Sequence, residues 1–223
     1  MTAFVLKPYH DRVEILTDGA YYSPDGMLLS TAYKVHLAHD APLAIVGSGS
    51  VVEIKQAADV ILALADATGS VDETLKSLSN ALAPVAASPS RDTGFRIGIA
   101  AISETAGPIC LQFSSFDEGD VPAFQLVYAP SGFGQGSMPD ADTMVANLAH
   151  LQGTKDGLAA DGPWLFEQMR HKKNVNPAFP DREPIYSVGG HVDLTIVRKD
   201  EYEHQRLLTW PDVVGQKIEP SAA

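Results

Sequence analysis

A single cysteine, Cys110, stands in the 223-residue chain, so no internal disulfide can form. Its apolar flanks, Ile109 and Leu111, assign it to the core as an unreactive thiol. Basic residues are also scarce: 16 Lys and Arg face 28 Asp and Glu, for a net charge of −12. That balance speaks against nucleic acid and anionic membrane surfaces, both of which require basic patches. No apolar run approaches the ~20 residues of a membrane span. The N-terminus lacks a basic stretch followed by a long apolar one, so no signal peptide is read there, and the expected location is the cytoplasm. No cofactor motif is present. Gly47-Ser48-Gly49-Ser50 lacks a phosphate-binding lysine and is too short for a dinucleotide fingerprint, and there is no G-x-S-x-G elbow. His36-x-x-His39-Asp40 supplies two metal-ligand types and a carboxylate, but it falls on a strand end and turn and reads as an exposed polar loop, so no metal is expected.

What remains is an ordinary globular composition, 45% apolar and 20% charged, sufficient for one medium domain with a full core. Residues 2–47 read as four short strands separated by turn signals. From Val51 the period changes. Ile54, Ala57, Ala58, Ile61, Leu62 and Ala65 share one helical face behind the capping box Ser50-x-x-Glu53, and the pattern stops before Thr68-Gly69. A second box, Ser70-x-x-Glu73, opens a helix carrying Val71, Leu75, Leu78, Leu82 and Val85. After a connector at Ala86–Thr93, strands are expected at Phe95–Ser103, Ile109–Ser115 and Ala123–Tyr128. Ser131–Pro139 reads as a glycine-rich loop. Two more helices are expected, at Asp142–Gln152 and around Pro163–Lys172. Asn174–Pro184 is a proline-bearing loop, and Tyr186–Arg198 with Glu203–Trp210 make a closing hairpin. From Pro211 the tail reads as irregular, and the whole 1–223 chain as one domain.

Thr2 follows Met1, with Asp18 sixteen residues on and Lys34 thirty-two residues on. Late in the chain, Gly189-Gly190 precedes the strand-like run His191–Val197. These features resemble the proteasome-like branch, β-type subunits included, of the N-terminal-nucleophile hydrolases. The resemblance implies a four-layer αββα sandwich of two antiparallel sheets flanked by helix pairs. It also implies a threonine protease or amidase cutting peptide or amide bonds, with Thr2, Asp18 and Lys34 as catalytic residues once Met1 is removed. The chemistry of such a trio is coherent. A free α-amine, with a pKa of roughly 7.7–8.0, takes the hydroxyl proton. A buried ammonium favours the developing alkoxide, and an aspartate orients it. Backbone N–H groups of Gly47, Ser48 and Gly49 are placed to hold the oxyanion. The family further implies a homo-oligomer, as a ring or stacked assembly, taking a peptide substrate. Three positions depart from its pattern: Ala20 stands where arginine is usual, Val188 where serine is, and Ile185 where aspartate is, with Asp181 and Glu183 nearby. A catalytically silent structural or assembly subunit is the alternative.

Overall fold

In the computed structural model, residues 2–86, 94–146, 157–176 and 179–220 are described. The chain opens with a hairpin, β1 (Phe4–Pro8) and β2 (Val13–Asp18), closed by Tyr9 N donating to Arg12 O. A small ribbon follows, β3 (Ala20–Tyr22) with β4 (Leu28–Thr31). Next come β5 (His36–Leu37) and β6 (Leu43–Gly49), then helices α1 (Val51–Thr68) and α2 (Val71–Ala86). The middle holds β7 (Phe95–Ser103), β8 (Gly107–Ser114), β9 (Val127–Tyr128) and β10 (Phe133–Gln135). Helices α3 (Ala141–Ala146) and α4 (Leu158–Arg170) precede a second ribbon, β11 (Lys173–Asn174) with β12 (Ile185–Tyr186). The hairpin β13 (His191–Val197) and β14 (Tyr202–Thr209) closes the order.

Two five-stranded antiparallel sheets dominate, ordered β10-β1-β2-β13-β14 and β5-β6-β7-β8-β9. They meet through small residues on one side and large ones on the other. Phe4, Leu6, Val13 and Ile15 press on Ala44, Val46, Ala100 and Cys110. A Cβ at Gly98 would lie 3.1–3.3 Å from Phe133, Leu6 and Phe4, so that glycine sets how closely the sheets approach. Alternate residues of β6 and β7, among them Ile45, Ile97 and Ile99, face the other way and bury the apolar stripes of α1 and α2. Both helices begin on the serines of their capping boxes: Ser50 Oγ accepts from Glu53 N at 3.5 Å and Ser70 Oγ from Glu73 N at 3.3 Å. Gly69, at φ 60°, ends α1 in the left-handed conformation. Among the described residues no helix is long and apolar enough to cross a membrane.

The expected αββα sandwich with flanking helix pairs is corrected here. Among the described residues the strands fall into four antiparallel sheets, 37% strand against 25% in four helices. Among the described residues, α1 and α2 are the helices that pack against each other as a pair. The sheet containing β2 is faced by α4, with Met144 of α3 packed against the same core. One extra sheet has a local cause: β2 stops at Asp18, and the chain leaves the sheet at Gly19 to pair with itself as β3 and β4. Other boundaries shift as well. The glycine-rich stretch read as a loop contains β10, paired with β1 in the register Phe4↔Gln135. Only Val127–Tyr128 of the strand expected at Ala123–Tyr128 is strand. α4 starts five residues before Pro163. The connector at 87–93 and the end of the expected helix at 147–152 lie outside the described residues.

Candidate active site

β2 is buried along its whole length, and its parity sorts its side chains. Val13 and Ile15 face the other sheet; Leu16 faces α4, and Glu14 and Asp18 share its parity. Glu14 is already committed: its carboxylate takes Leu158 N at the start of α4 and Arg12 Nε, both at 2.6 Å. Asp18, fully buried at the strand end, meets the opening of the chain instead.

The Asp18 carboxylate is held from four directions. Its Oδ1 accepts from Ala3 N at 3.0 Å and from Lys34 Nζ at 2.9 Å. Its Oδ2 accepts from Ala20 N at 3.1 Å and from Gly189 N at 3.4 Å. Asp18 N donates back to Ala3 O at 3.1 Å, so the Thr2–Ala3 peptide is pinned on Asp18 itself. Lys34 arrives because Ala32 N bonds Gly19 O at 3.0 Å, folding the chain after β4 back over the Asp18-Gly19 turn. Its ammonium also donates to Ala20 O at 2.6 Å and stands 5.0 Å from the centre of the Tyr21 ring. Burial lowers the Lys34 pKa from its ordinary value, against the opposing pull of Asp18. Thr2 is 9% exposed. The structure therefore brings Asp18 and Lys34 together beside the Thr2–Ala3 peptide. Met1 lies outside the described residues.

Gly47, Ser48 and Gly49 form the end of β6, opposite Ile97, Arg96 and Phe95 of β7. Their glycines answer to packing: a Cβ on Gly47 would come within 2.5 Å of Ile54 in α1, and one on Gly49 within 2.2 Å of Gly94 O. β5 covers only Ala44 and Ile45, so from Val46 to Gly49 one edge of β6 has no strand partner among the described residues. Among the described residues, Gly47–Gly49 make no hydrogen bond to the Asp18 carboxylate.

Several groups at this site carried no local signal. Ala3 N, Ala20 N and Gly189 N act through the backbone, which residue identity does not reveal. Ser137 is buried, and its neighbour Gly136 would meet Ala3 at 3.0 Å if it had a Cβ. Ser137 accepts from Asn174 Nδ2 at 2.6 Å and lies 3.4 Å from the Oγ of buried Ser187. At the departing positions, Val188 is fully buried against the α4 side, Ile185 pairs with Asn174 in β12, and Asp181 and Glu183 are exposed. His39 is exposed and bonds Asp40 at 2.8 Å, and no group of three or more His, Cys, Asp and Glu among the described residues could hold a metal ion.

A second polar cluster lies next to the site. His191 packs its ring against Gly19, where a Cβ would sit 2.3 Å away. Its Nε2 lies 3.1 Å from Asp193 Oδ2, and Arg206 Nε donates to Asp193 Oδ1 at 2.9 Å. Burial alone would raise the Asp193 pKa, but the bonds from His191 and Arg206 outweigh it and hold the carboxyl well below the usual range. Compared with protein-family models and with curated proteins, the chain matches none.

Proposed function

We propose that this chain is a proteasome-like N-terminal threonine hydrolase acting on peptide or amide bonds, with Thr2 as nucleophile after removal of Met1. The observation that carries this reading is the buried Lys34–Asp18 pair, anchored on the Thr2–Ala3 peptide. An ammonium and a carboxylate withdrawn from water cost several kcal/mol of desolvation, and such pairs concentrate at functional sites. In this mechanism the α-amine of Thr2 accepts the proton of its own Oγ, and Oγ attacks the carbonyl carbon. Lys34 stabilises negative charge on Oγ, and Asp18 holds Lys34 in place. The open edge of β6 at Val46–Gly49 is the candidate donor for the carbonyl oxygen. The protonated amine then passes its proton to the leaving nitrogen, and water releases the acyl group from Oγ. Cytoplasmic residence is proposed as the default for a chain with one cysteine, and the resemblance carries the proposal of a homo-oligomer enclosing its sites.

Intact-mass measurement on untagged protein tests the first step, with a mass lacking Met1 expected. Incubation with a threonine-directed β-lactone tests the second, with one adduct on Thr2 expected. Retention of Met1 together with no adduct would overturn the reading. A silent structural subunit is favoured by one observation: Ala20, Val188 and Ile185 put apolar side chains where the resemblance expects polar ones.

A further inference from the structure

The Asp18 carboxylate receives Gly189 N, and Gly19 N donates to Gly189 O at 3.1 Å and to His191 O at 2.9 Å. The glycine pair is thus the wall on which the Asp18-Gly19 turn rests. The wall itself is gripped from behind by the chain's last segment. Gly190 N donates to Asp212 Oδ2 at 2.7 Å, and Trp210 N donates to Gly190 O at 3.0 Å. Arg170, the last residue of α4, spans Asp212 with two bonds, Nη1 to Oδ2 at 2.9 Å and Nη2 to Oδ1 at 2.6 Å. Its Nη1 also donates to Val188 O at 2.9 Å, and its guanidinium lies over the Trp210 ring at 4.8 Å. The Arg170 and Asp212 side chains are 4% and 6% exposed.

Beyond Asp212 the segment crosses to the other support of the site. Leu28 N donates to Gln216 O and Gly215 N to Leu28 O, both at 2.8 Å, and Ile218 N donates to Gly26 O at 3.1 Å. Ile218 is buried with Ala20 and Leu28, and Ala20 O is the second acceptor of the Lys34 ammonium. Residues 210–218 therefore touch both loops that hold the ion pair, the glycine pair through Asp212 and the β3–β4 ribbon through Gln216 and Ile218. Contact is close, since a Cβ on Gly189 would lie 2.7 Å from Asp212 Oδ2 and 3.1 Å from Ile218 Cδ1.

We propose that residues 210–218 are a built-in clamp on the candidate site, with Asp212 and Arg170 as positioning residues that hold Gly189 and Gly190 against Asp18. The role of the clamp in reactivity rests on the reading of Thr2 as nucleophile; its role in holding Lys34 does not. A bidentate arginine suits this task, because its planar fork fixes both carboxylate oxygens while the backbone N–H of Gly190 shares one of them.

The test compares the wild-type protein with Asp212→Ala, the isosteric Asp212→Asn, and Val71→Ala, a core change in α2 far from the site. Two quantities are read: the titration of the Lys34 ammonium by NMR on 15N-lysine-labelled protein, and the rate of β-lactone labelling at Thr2. In Asp212→Ala the glycine pair loosens, water reaches the pair, and the Lys34 titration moves up toward the ordinary lysine value. Labelling slows by roughly ten- to hundredfold, the size of effect expected from ångström-scale misplacement. Asp212→Asn, which retains one acceptor, falls between, and covers the case in which the alanine variant does not fold. Val71→Ala lowers the melting temperature and leaves both readouts at wild-type values. If the Asp212 variants lose stability while the Lys34 titration and labelling rate match those of Val71→Ala, the clamp is overturned. If the wild-type protein does not label at all, the nucleophile reading fails, and the Lys34 titration alone decides the clamp.

Discussion

Replacing Lys34 by Met removes the charge and the hydrogen bonds while keeping most of the buried stem, so it isolates the ion pair from packing. The side chains are 3% and 0% exposed for Lys34 and Asp18, and their polar atoms are 2.9 Å apart. Removing one partner of a buried pair leaves an uncompensated charge and typically destabilises by about 3–5 kcal/mol. The lower end applies here, because Ala3 N, Ala20 N and Gly189 N remain on the carboxylate. A loss of about 3 kcal/mol lowers the melting temperature of a domain this size by roughly 6–12 °C. Urea denaturation at neutral pH measures the free energy directly. A pH series adds a second check. Burial lowers the Lys34 pKa in the folded state, so between that value and about 10.4 the unfolded chain binds more protons and stability rises with pH. In Lys34→Met this contribution to the rise is absent. A loss below about 1 kcal/mol, the range of exposed pairs, would refute the placement of Lys34 in a dry site.

Thr2→Ala is expected to abolish β-lactone labelling and any turnover while leaving stability within about 1 kcal/mol, read by thermal melting, since one small hydroxyl is removed and no large core volume is lost. Gly47→Ala is expected to destabilise by about 1–3 kcal/mol, because its Cβ would fall 2.5 Å from Ile54 Cγ2 and 3.1 Å from Arg96 O. An unchanged denaturation midpoint would show that α1 can retreat from β6. Asp193, held below the usual carboxylate range, contributes stability that is present above about pH 3.9 and is lost as pH falls through its folded value. Asp193→Asn should flatten that acid limb in pH-dependent melts, and an unchanged acid limb would remove Asp193 from the account.

Much of the fold was legible where local chemistry and tertiary structure agree. α1 and α2 follow their capping boxes and periodic stripes, and the strand read at Phe95–Ser103 is β7 residue for residue. The misreadings arose where a distant group decides a local outcome. α4 begins at Leu158, not near Pro163, because the Glu14 carboxylate caps it from 144 residues away. Nothing between Gly157 and Pro163 announces that partner. β10 read as a loop because glycine disfavours strands, yet Gly134 and Gly136 are there so that Met138, Met169, Ala3 and Val5 can approach. Of the helix expected at Asp142–Gln152, the described part is α3, and residues 147–152 lie outside the described residues.

The candidate site divides along a different line. Asp18 and Lys34 are singled out by the resemblance, and the structure joins them as a buried ion pair. What holds them was not readable, because three of the four donors to Asp18 are backbone N–H groups, of Ala3, Ala20 and Gly189, and only the fourth, Lys34, is a side chain. A backbone N–H is the same at every residue but proline, so its role emerges only when the chain is folded. The tail is the extreme case. Pro211 to Ile218 has no period and reads as irregular, yet the Asp212 side chain within it is only 6% exposed and completes the bonds of Arg170 and Gly190. An irregular segment can be closely placed when its polar atoms are bonded, and here the partners are Arg170 of α4 and the two stretches that frame Asp18 and Lys34, Gly189-Gly190 and the β3–β4 ribbon.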